Sequence, residues 1–227
     1  MKNIIIIGAG GFSKELIGYL QQDISNKSLT DIHLKGILDD HESNYLNNDY
    51  DLPYLGKIND YHPLVNDEFL LAIANIHARK IIVRTIKNNN GIFFTYIHPS
   101  ALIATSATIG EGSIICPFSI INAKASVGEL CVLNIFCSIG HDTTLGGNSV
   151  LSPYCTLNGN VVSGASLFMG TRSTILLGNK VGNNCTISAH TCVKDDVPDN
   201  QMVFTKEEVN CILDRRVSSG VKTETSL

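Results

Sequence analysis

The chain has 227 residues, enough for one or two domains, with a formal net charge of −4 and 44% hydrophobic residues. That balance leaves no basic surface suited to nucleic acid. No apolar run is long enough to span a membrane or laid out as a secretion signal, so a soluble, cytoplasmic protein is expected.

Asn3–Ile7 is a β-branched run that leads into Gly8-Ala9-Gly10-Gly11. Phe12 to Gln22 then reads as a helix, with Leu16, Ile17 and Leu20 on one face. His33–Leu38 is expected as a second strand ending in Asp39-Asp40, Phe69–Ala74 as a third and Ile92–Tyr96 as a fourth. Residues 77–88 read as helix. Strands alternating with helices imply a small parallel α/β sheet. A strand–glycine–helix opening sets backbone N–H groups and a helix N-terminus against phosphate. The dinucleotide fingerprint G-x-G-x-x-G is not met, because Ser13 stands in the place of the third glycine. A phosphate-bearing ligand other than NAD is therefore favoured, with a purely structural turn as the alternative. Asp39 and Asp40 sit where α/β sheets bind ligands and can accept hydrogen bonds from a ribose or base; a solvated turn is the competing reading.

Beyond the join at His98-Pro99-Ser100 the pattern changes. From Ile103 to Val193 every sixth residue is apolar at fifteen of sixteen positions, and only Ser163 breaks the series. A period of six scatters around a helix but keeps one face of an extended chain. Four residues after most of these apolar positions a small residue recurs, as in Ala107, Ser113, Ser119 and Ala125. The position directly after the apolar residue is often glycine, as in Gly110, Gly128, Gly140 and Gly146. Hexapeptide repeats of this kind stack into a parallel β-helix, three hexads to a triangular coil, so sixteen hexads make about five coils. The unbroken register predicts no long loop leaving the prism.

Of the seven cysteines, Cys131, Cys137, Cys155 and Cys185 occupy the small-residue slot, so packing accounts for them. Two histidines fall within the prism. His141 follows a corner glycine in Ile139-Gly140-His141-Asp142, which places it outside the filled interior beside a carboxylate, a pairing suited to general-base work. An exposed surface pair is the plainer alternative. His190 carries less information. A catalytic zinc needs three protein ligands and the prism offers two histidines, so no metal is expected. Residues 206–216 suit a short helix and the remainder of the tail is polar.

The chain resembles the bacterial sugar acetyltransferases of the sialic-acid O-acetyltransferase and nucleotide-aminosugar N-acetyltransferase group. The residues that carry this are Gly8-Ala9-Gly10-Gly11 with Lys14-Glu15, Leu38-Asp39-Asp40, Ala72-Ile73-Ala74-Asn75 with Arg79-Lys80, His98-Pro99-Ser100-Ala101, and Gly140-His141-Asp142. The resemblance implies a Rossmann-like α/β domain (1–98), a left-handed parallel β-helix acyltransferase domain (99–205) and a C-terminal tail (206–227). It implies a homotrimer with acetyl-CoA lying between subunits and a nucleotide sugar held by the first domain. His141 matches the family's base and Asp142 its acidic support. Gly10, Gly11 and Phe12 match the phosphate loop, Asp39 and Asp40 the nucleoside contacts, and Asn134 a polar position near the reacting groups. Gly159, Thr171 and Ala189 match acetyl-CoA contacts. Phe12 replaces a histidine common in the family, Val150 replaces a polar residue that some relatives carry near the thioester, and residues 202–206 depart from the usual prism ending. The expected activity is N-acetylation of a nucleotide-linked amino-dideoxy sugar for surface glycans. O-acetylation of a sugar or sialic acid, a non-catalytic scaffold and a zinc-dependent hydratase are the alternatives.

Overall fold

The computed structural model describes residues 1–206, so the helix expected at 206–216 lies almost wholly outside the described residues. β1 (Lys2–Ile7), α1 (Gly11–Ser25), β2 (Ile32–Leu38), α2 (Glu42–Leu46), β3 (Tyr54–Gly56), β4 (Asp67–Leu71), α3 (Ile76–Asn88) and β5 (Ile92–Phe93) follow in order. The strands form one parallel sheet in the order β3-β2-β1-β4-β5. The isoleucines of β1 alternate between two cores. Ile4 and Ile6 pack with Leu16 and Leu20 of α1, whereas Ile5 and Ile7 pack with Ile82 and Ile86 of α3. Burial on both faces is what a parallel sheet covered by helices requires, and it explains the unalternating apolar run. The chain leaves β1 toward β2 on one side and β4 on the other, so a crevice opens at the carboxyl ends of these strands.

The expected fourth strand at 92–96 divides in two. Ile92–Phe93 closes the first sheet, whereas Tyr96–Ile97 pairs with Ile114–Ile115 and begins the prism. From there two-residue strands recur every six residues to Cys192–Val193, in a left-handed parallel β-helix. They sort into three parallel sheets, each taking every third strand. The first face contains Tyr96–Ile97, Ile114–Ile115 and Val132–Leu133; the second Leu102–Ile103, Ile120–Ile121 and Ser138–Ile139; the third Thr108–Ile109, Ser126–Val127 and Thr144–Leu145. Partners lie 18 residues apart, as in Ile121↔Ile139 and Leu133↔Leu151. The second residue of each strand points inward, and Ile121, Leu133, Ile139, Leu151 and Leu157 are buried there. Burying each such side chain contributes about 1.5–3 kcal/mol. At the one break, Ser163 is flanked by the buried Val161 and Leu167, two large residues in slots that elsewhere hold small ones. They refill the layer that Ser163 leaves thin. The final coil is two residues short, since Thr186 pairs with Met202.

The outward residues distinguish the faces. On the first face they are Ile114, Val132, Val150 and Phe168, all packed in one cluster with Leu16, Ile17 and Leu20 of α1. The N-terminal domain therefore covers this face. Arg79, fully buried, fastens the seam at the corner between the third and first faces. It donates from Nη1 to the Leu71 and Ile73 carbonyls at 3.1 and 2.8 Å, from Nη2 to the Leu130 carbonyl, and from Nε to Asn148 Oδ1 at 3.1 Å. Burial lowers its guanidinium to about 10, which leaves it a cation at neutral pH. Tyr96 ties the other end of the seam, donating to Asp23 Oδ2 at 2.7 Å. Val150, which replaces a polar residue of some relatives, lies under this covering domain in the same apolar cluster. No described helix is long and apolar enough to cross a membrane.

Candidate active site

A cleft of ≈ 470 Å³ opens at the carboxyl ends of β1, β2 and β4. Gly8, Gly10, Gly11, Phe12, Asp39, Asp40 and Ala72–Ala74 line it, so the expected phosphate-loop and nucleoside residues converge. Gly8 has φ +103°, and a Cβ there would stand 2.7 Å from Ile73 Cγ1; glycine is required on both counts. Gly10 and Gly11 have the opposite character. Nothing lies within 4 Å of where their Cβ atoms would be, so a ligand can approach the backbone closely. No side chain caps α1 at Gly10, which leaves the positive end of its dipole open to an anion. α3 begins beside the same cleft, with Asn75 Oδ1 accepting from Ala78 N. Two helix N-termini thus border one crevice.

Asp39 and Asp40 divide their roles. Both Asp39 oxygens are occupied within the protein: Oδ2 accepts from Ala9 N at 2.7 Å, and Oδ1 from His41 N and Asn44 Nδ2. Asp39 therefore shapes the loop. Asp40 accepts from Ile58 N with Oδ1 and is exposed, which leaves Oδ2 free to meet a ligand. Ser13, buried where a third glycine was sought, donates its hydroxyl to the Gly8 carbonyl at 2.6 Å and so braces the turn.

The second constellation lies at the corner between the second and third faces. Asp142 has φ +55°, one of a series of left-handed residues at this corner with Lys124 and Asn160. That backbone turn lets adjacent side chains reach the same side. His141 Nδ1 and Asp142 Oδ2 are 2.9 Å apart. A carboxylate oxygen accepts, so the contact assigns the donor role to Nδ1 and leaves Nε2 as the ring nitrogen open to a ligand. Nε2 has no hydrogen-bond partner among the described residues, and it faces an open groove of ≈ 540 Å³ lined by Asn122, Ser138, Asn158, Gly159 and Leu177. The arrangement can accept a proton from a nucleophile held in the groove.

Gly159 lies one coil beyond His141, and the imidazole rests across it. A Cβ at 159 would stand 2.6 Å from Nε2. Gly159→Ala is therefore expected to swing the ring aside while the fold persists, because the obstacle is a side-chain tip on an exposed corner. An unchanged melting temperature with a kcat at least about 10-fold lower is the expected pair of readings. An unchanged kcat would show that the ring position is immaterial. Gly140 differs: a Cβ there would meet the Gly159 backbone N, so its glycine is needed for stacking.

The structure does not bring every expected residue to this groove. Asn134 lies at the corner between the first and second faces, its Oδ1 accepting from Ile135 N at 2.7 Å. Thr171 and Ala189 lie at that same corner, across the second face from Gly159. Asn122 and Asn158 were missed, although both stand 18 residues from Gly140 and a coil-length spacing would have found them. Cys116, Cys131, Cys137, Cys155 and Cys185 are buried, and burial pushes the Cys131 thiol up to about 11 and Cys137 upward as well. Cys131, Cys137, Cys155 and Cys185 fill small-residue slots in the prism interior, and Cys116 is buried in the seam under the first domain. Among the described residues no group of three His, Cys, Asp or Glu side chains is placed to hold a metal.

Comparison with known proteins bears on both halves of the chain. Residues 3–86 match the PglD N-terminal domain. UDP-N-acetylbacillosamine N-acetyltransferase of Bacillus subtilis is 33% identical over 118 residues, a stretch covering 51% of this chain and 51% of that protein. The match thus spans about half the length of that curated relative. Among solved structures, a variant of perosamine N-acetyltransferase from Caulobacter crescentus, in complex with CoA and GDP-perosamine, shares the fold (TM-score 0.75, 24% identity, 89% of this chain and 93% of that one). So does the acetyltransferase domain of PglB from Neisseria gonorrhoeae in complex with acetyl coenzyme A (TM-score 0.73, 24% identity, 88% and 95%). The resemblance read from the sequence, to sugar acetyltransferases with a Rossmann-like first domain, is borne out by these matches.

Proposed function

We propose that the chain is an acetyl-CoA-dependent N-acetyltransferase that acts on the amine of a nucleotide-linked amino-dideoxy sugar. The observation that carries this is the His141–Asp142 corner, where Nδ1 is engaged by the carboxylate and Nε2 borders an open groove. The amine nitrogen attacks the thioester carbonyl, a C–N bond forms and the C–S bond breaks. His141 Nε2 takes the proton from the attacking nitrogen, and Asp142 stabilises the imidazolium until the proton passes to the departing thiolate. Base assistance of this kind is worth about 10²–10⁴-fold. Holding both substrates in one groove adds the advantage of proximity.

An amine on a nucleotide-linked sugar is preferred to the hydroxyl of a free sugar because of the first cleft. The uncapped α1 N-terminus beside Gly10, Gly11 and Phe12, with the Asn75-capped start of α3 across the cleft, suits a diphosphate, and Asp40 keeps an oxygen for the nucleoside. GDP-perosamine, bound in the Caulobacter crescentus structure, is a ligand of this kind.

The two constellations cannot meet within one chain. The cleft belongs to the domain packed on the first face, whereas His141 stands at the one corner that this face does not border. We therefore place each active site between two copies of the chain in a homotrimer, with acetyl-CoA along the prism and Gly159, Thr171 and Ala189 among its contacts. Asn134 would then approach the reacting groups from a neighbouring copy. Acetyl-CoA as donor implies work in the cytoplasm.

The test is a panel of UDP-, dTDP- and GDP-linked 4-amino-dideoxy sugars with acetyl-CoA, following thiol release. Turnover of one nucleotide series is expected. Calorimetry that detects no acetyl-CoA binding would instead support the scaffold alternative.

A further inference from the structure

The glycine loop of the first domain treats its carbonyls and its N–H groups differently. Its three carbonyls are all taken up by side chains of the same chain. Ser13 Oγ donates to the Gly8 carbonyl at 2.6 Å, Asn48 Nδ2 to the Ala9 carbonyl at 3.0 Å and Tyr50 Oη to the Gly10 carbonyl at 2.8 Å. Of the N–H groups, Ala9 N donates to Asp39 Oδ2 and Ser13 N to the Gly10 carbonyl. Between them, Gly10 N, Gly11 N and Phe12 N have no hydrogen-bond partner among the described residues. Successive N–H groups make an anion cradle only when the neighbouring carbonyls point elsewhere. Neither Asn48 nor Tyr50 lines the cleft. Tyr50 stands against Lys14 and Ile17 in a shallow recess on the outer side of α1. The bond to Tyr50 therefore turns the Gly10 carbonyl away from the cleft.

We propose that Asn48 and Tyr50 are positioning residues: by holding the Ala9 and Gly10 carbonyls off the cleft, they aim the N–H groups of Gly10, Gly11 and Phe12 at the diphosphate of the substrate. Both belong to the segment between β2 and β3, and that segment is braced for the task. The Tyr50 ring stacks on Tyr45 with centroids 5.6 Å apart, and Tyr45 packs on Tyr54 at 5.3 Å. Tyr54 Oη donates to the Asp39 carbonyl at 2.7 Å, which ties the row to the end of β2. The Lys14 ammonium lies 5.9 Å over the Tyr50 ring. Burial pushes the Tyr50 phenol up, so it stays a donor. The same segment brings Asp40, His41 and Asn44 to the cleft. One stretch of chain thus meets the nucleoside directly and the phosphates through the loop. The ligand is taken from the proposed function, whereas the clasp does not depend on acetyl transfer.

Tyr50→Phe removes the hydroxyl and keeps the stacked ring. Asn48→Ala also loses a bond to the Asn44 carbonyl, so Tyr50→Phe is the cleaner probe. Tyr45→Phe is the control, because it makes the same change in the same row and frees only the Leu52 carbonyl. UDP, dTDP and GDP are titrated by calorimetry into the full chain, and the nucleotide that binds is carried to the variants. Tyr50→Phe is expected to raise its Kd about 5–10-fold, and the double variant with Asn48→Ala about 30-fold, while Tyr45→Phe stays within about twofold. In thiol-release assays the KM for the nucleotide sugar should rise by the same factors, with kcat and the KM for acetyl-CoA unchanged. A merely structural role would lower the active fraction, and so kcat, at constant KM. Binding by Tyr50→Phe as tight as the parent's, or equal weakening by Tyr45→Phe, would overturn the proposal. A parent protein that binds none of these nucleotides would overturn it together with the phosphate role of the cleft. Weakening as expected, in a protein that acetylates no nucleotide sugar, would uphold the clasp and reject the reaction.

Discussion

Replacing His141 with alanine is expected to lower kcat by about 10²–10⁴-fold with little change in the KM for either substrate. The side chain is mostly exposed and its one recorded hydrogen bond is to Asp142, so its removal leaves the prism stack intact. The interior layer at this coil is set by Ile139 and Leu157, which the substitution does not touch. Melting temperature and oligomeric mass should match the parent protein. Steady-state thiol release checks the rate, and a loss smaller than about 10-fold would remove His141 from the role of base.

Arg79→Ala is expected to have the largest effect on stability. The guanidinium gathers the Leu71, Ile73 and Leu130 carbonyls and the Asn148 side chain in a buried seam, and each acceptor loses its charged donor at once. Leaving several buried acceptors unsatisfied costs about 3 kcal/mol or more. Arg79→Lys should recover little of this, because a single ammonium cannot reproduce a planar fork that addresses three directions. Urea unfolding measures both variants. A loss below about 1 kcal/mol for Arg79→Ala would mean that the seam does not depend on the fork.

The prism was legible because its geometry is repetitive. Each coil places an inward residue over the one 18 positions earlier, so a fixed interior demands a fixed sequence period. The same regularity hid the domain seam. Ile114, Val132, Val150 and Phe168 are outward and 18 residues apart, yet in a count of every sixth inward residue they go unseen. The covering domain is visible only when the outward positions are sorted by face. Ile97 likewise continues the hexad one step before Ile103, and its strand was merged with β5 because only Phe94 and Thr95 separate the two. β3 went unread because three residues at a sheet edge carry no alternation.

The His141–Asp142 pair was legible for a local reason. A corner glycine followed by His-Asp places both side chains outside the stack in any coil. The Asp39–Asp40 pair shows the limit of such reading. Adjacent carboxylates at a strand end look alike in sequence, whereas Asp39 closes on Ala9, His41 and Asn44 and only Asp40 keeps a free oxygen. That difference depends on contacts 30 residues apart in the chain. Asn122 and Asn158 join the groove through coil stacking, which a motif read along the chain does not contain.

The nucleotide-sugar cleft of one copy and the His141 corner of another are proposed to make a single transfer site. Co-expression of two separately tagged inactive variants measures this directly. One carries His141→Ala; the other carries Gly11→Trp, which fills the open space above the α1 N-terminus. In mixed trimers isolated through both tags, one of the three shared sites pairs an intact cleft with an intact His141, so about a third of the parent activity is expected to return. Hetero-oligomers that form yet remain as inactive as either variant alone would contradict the claim.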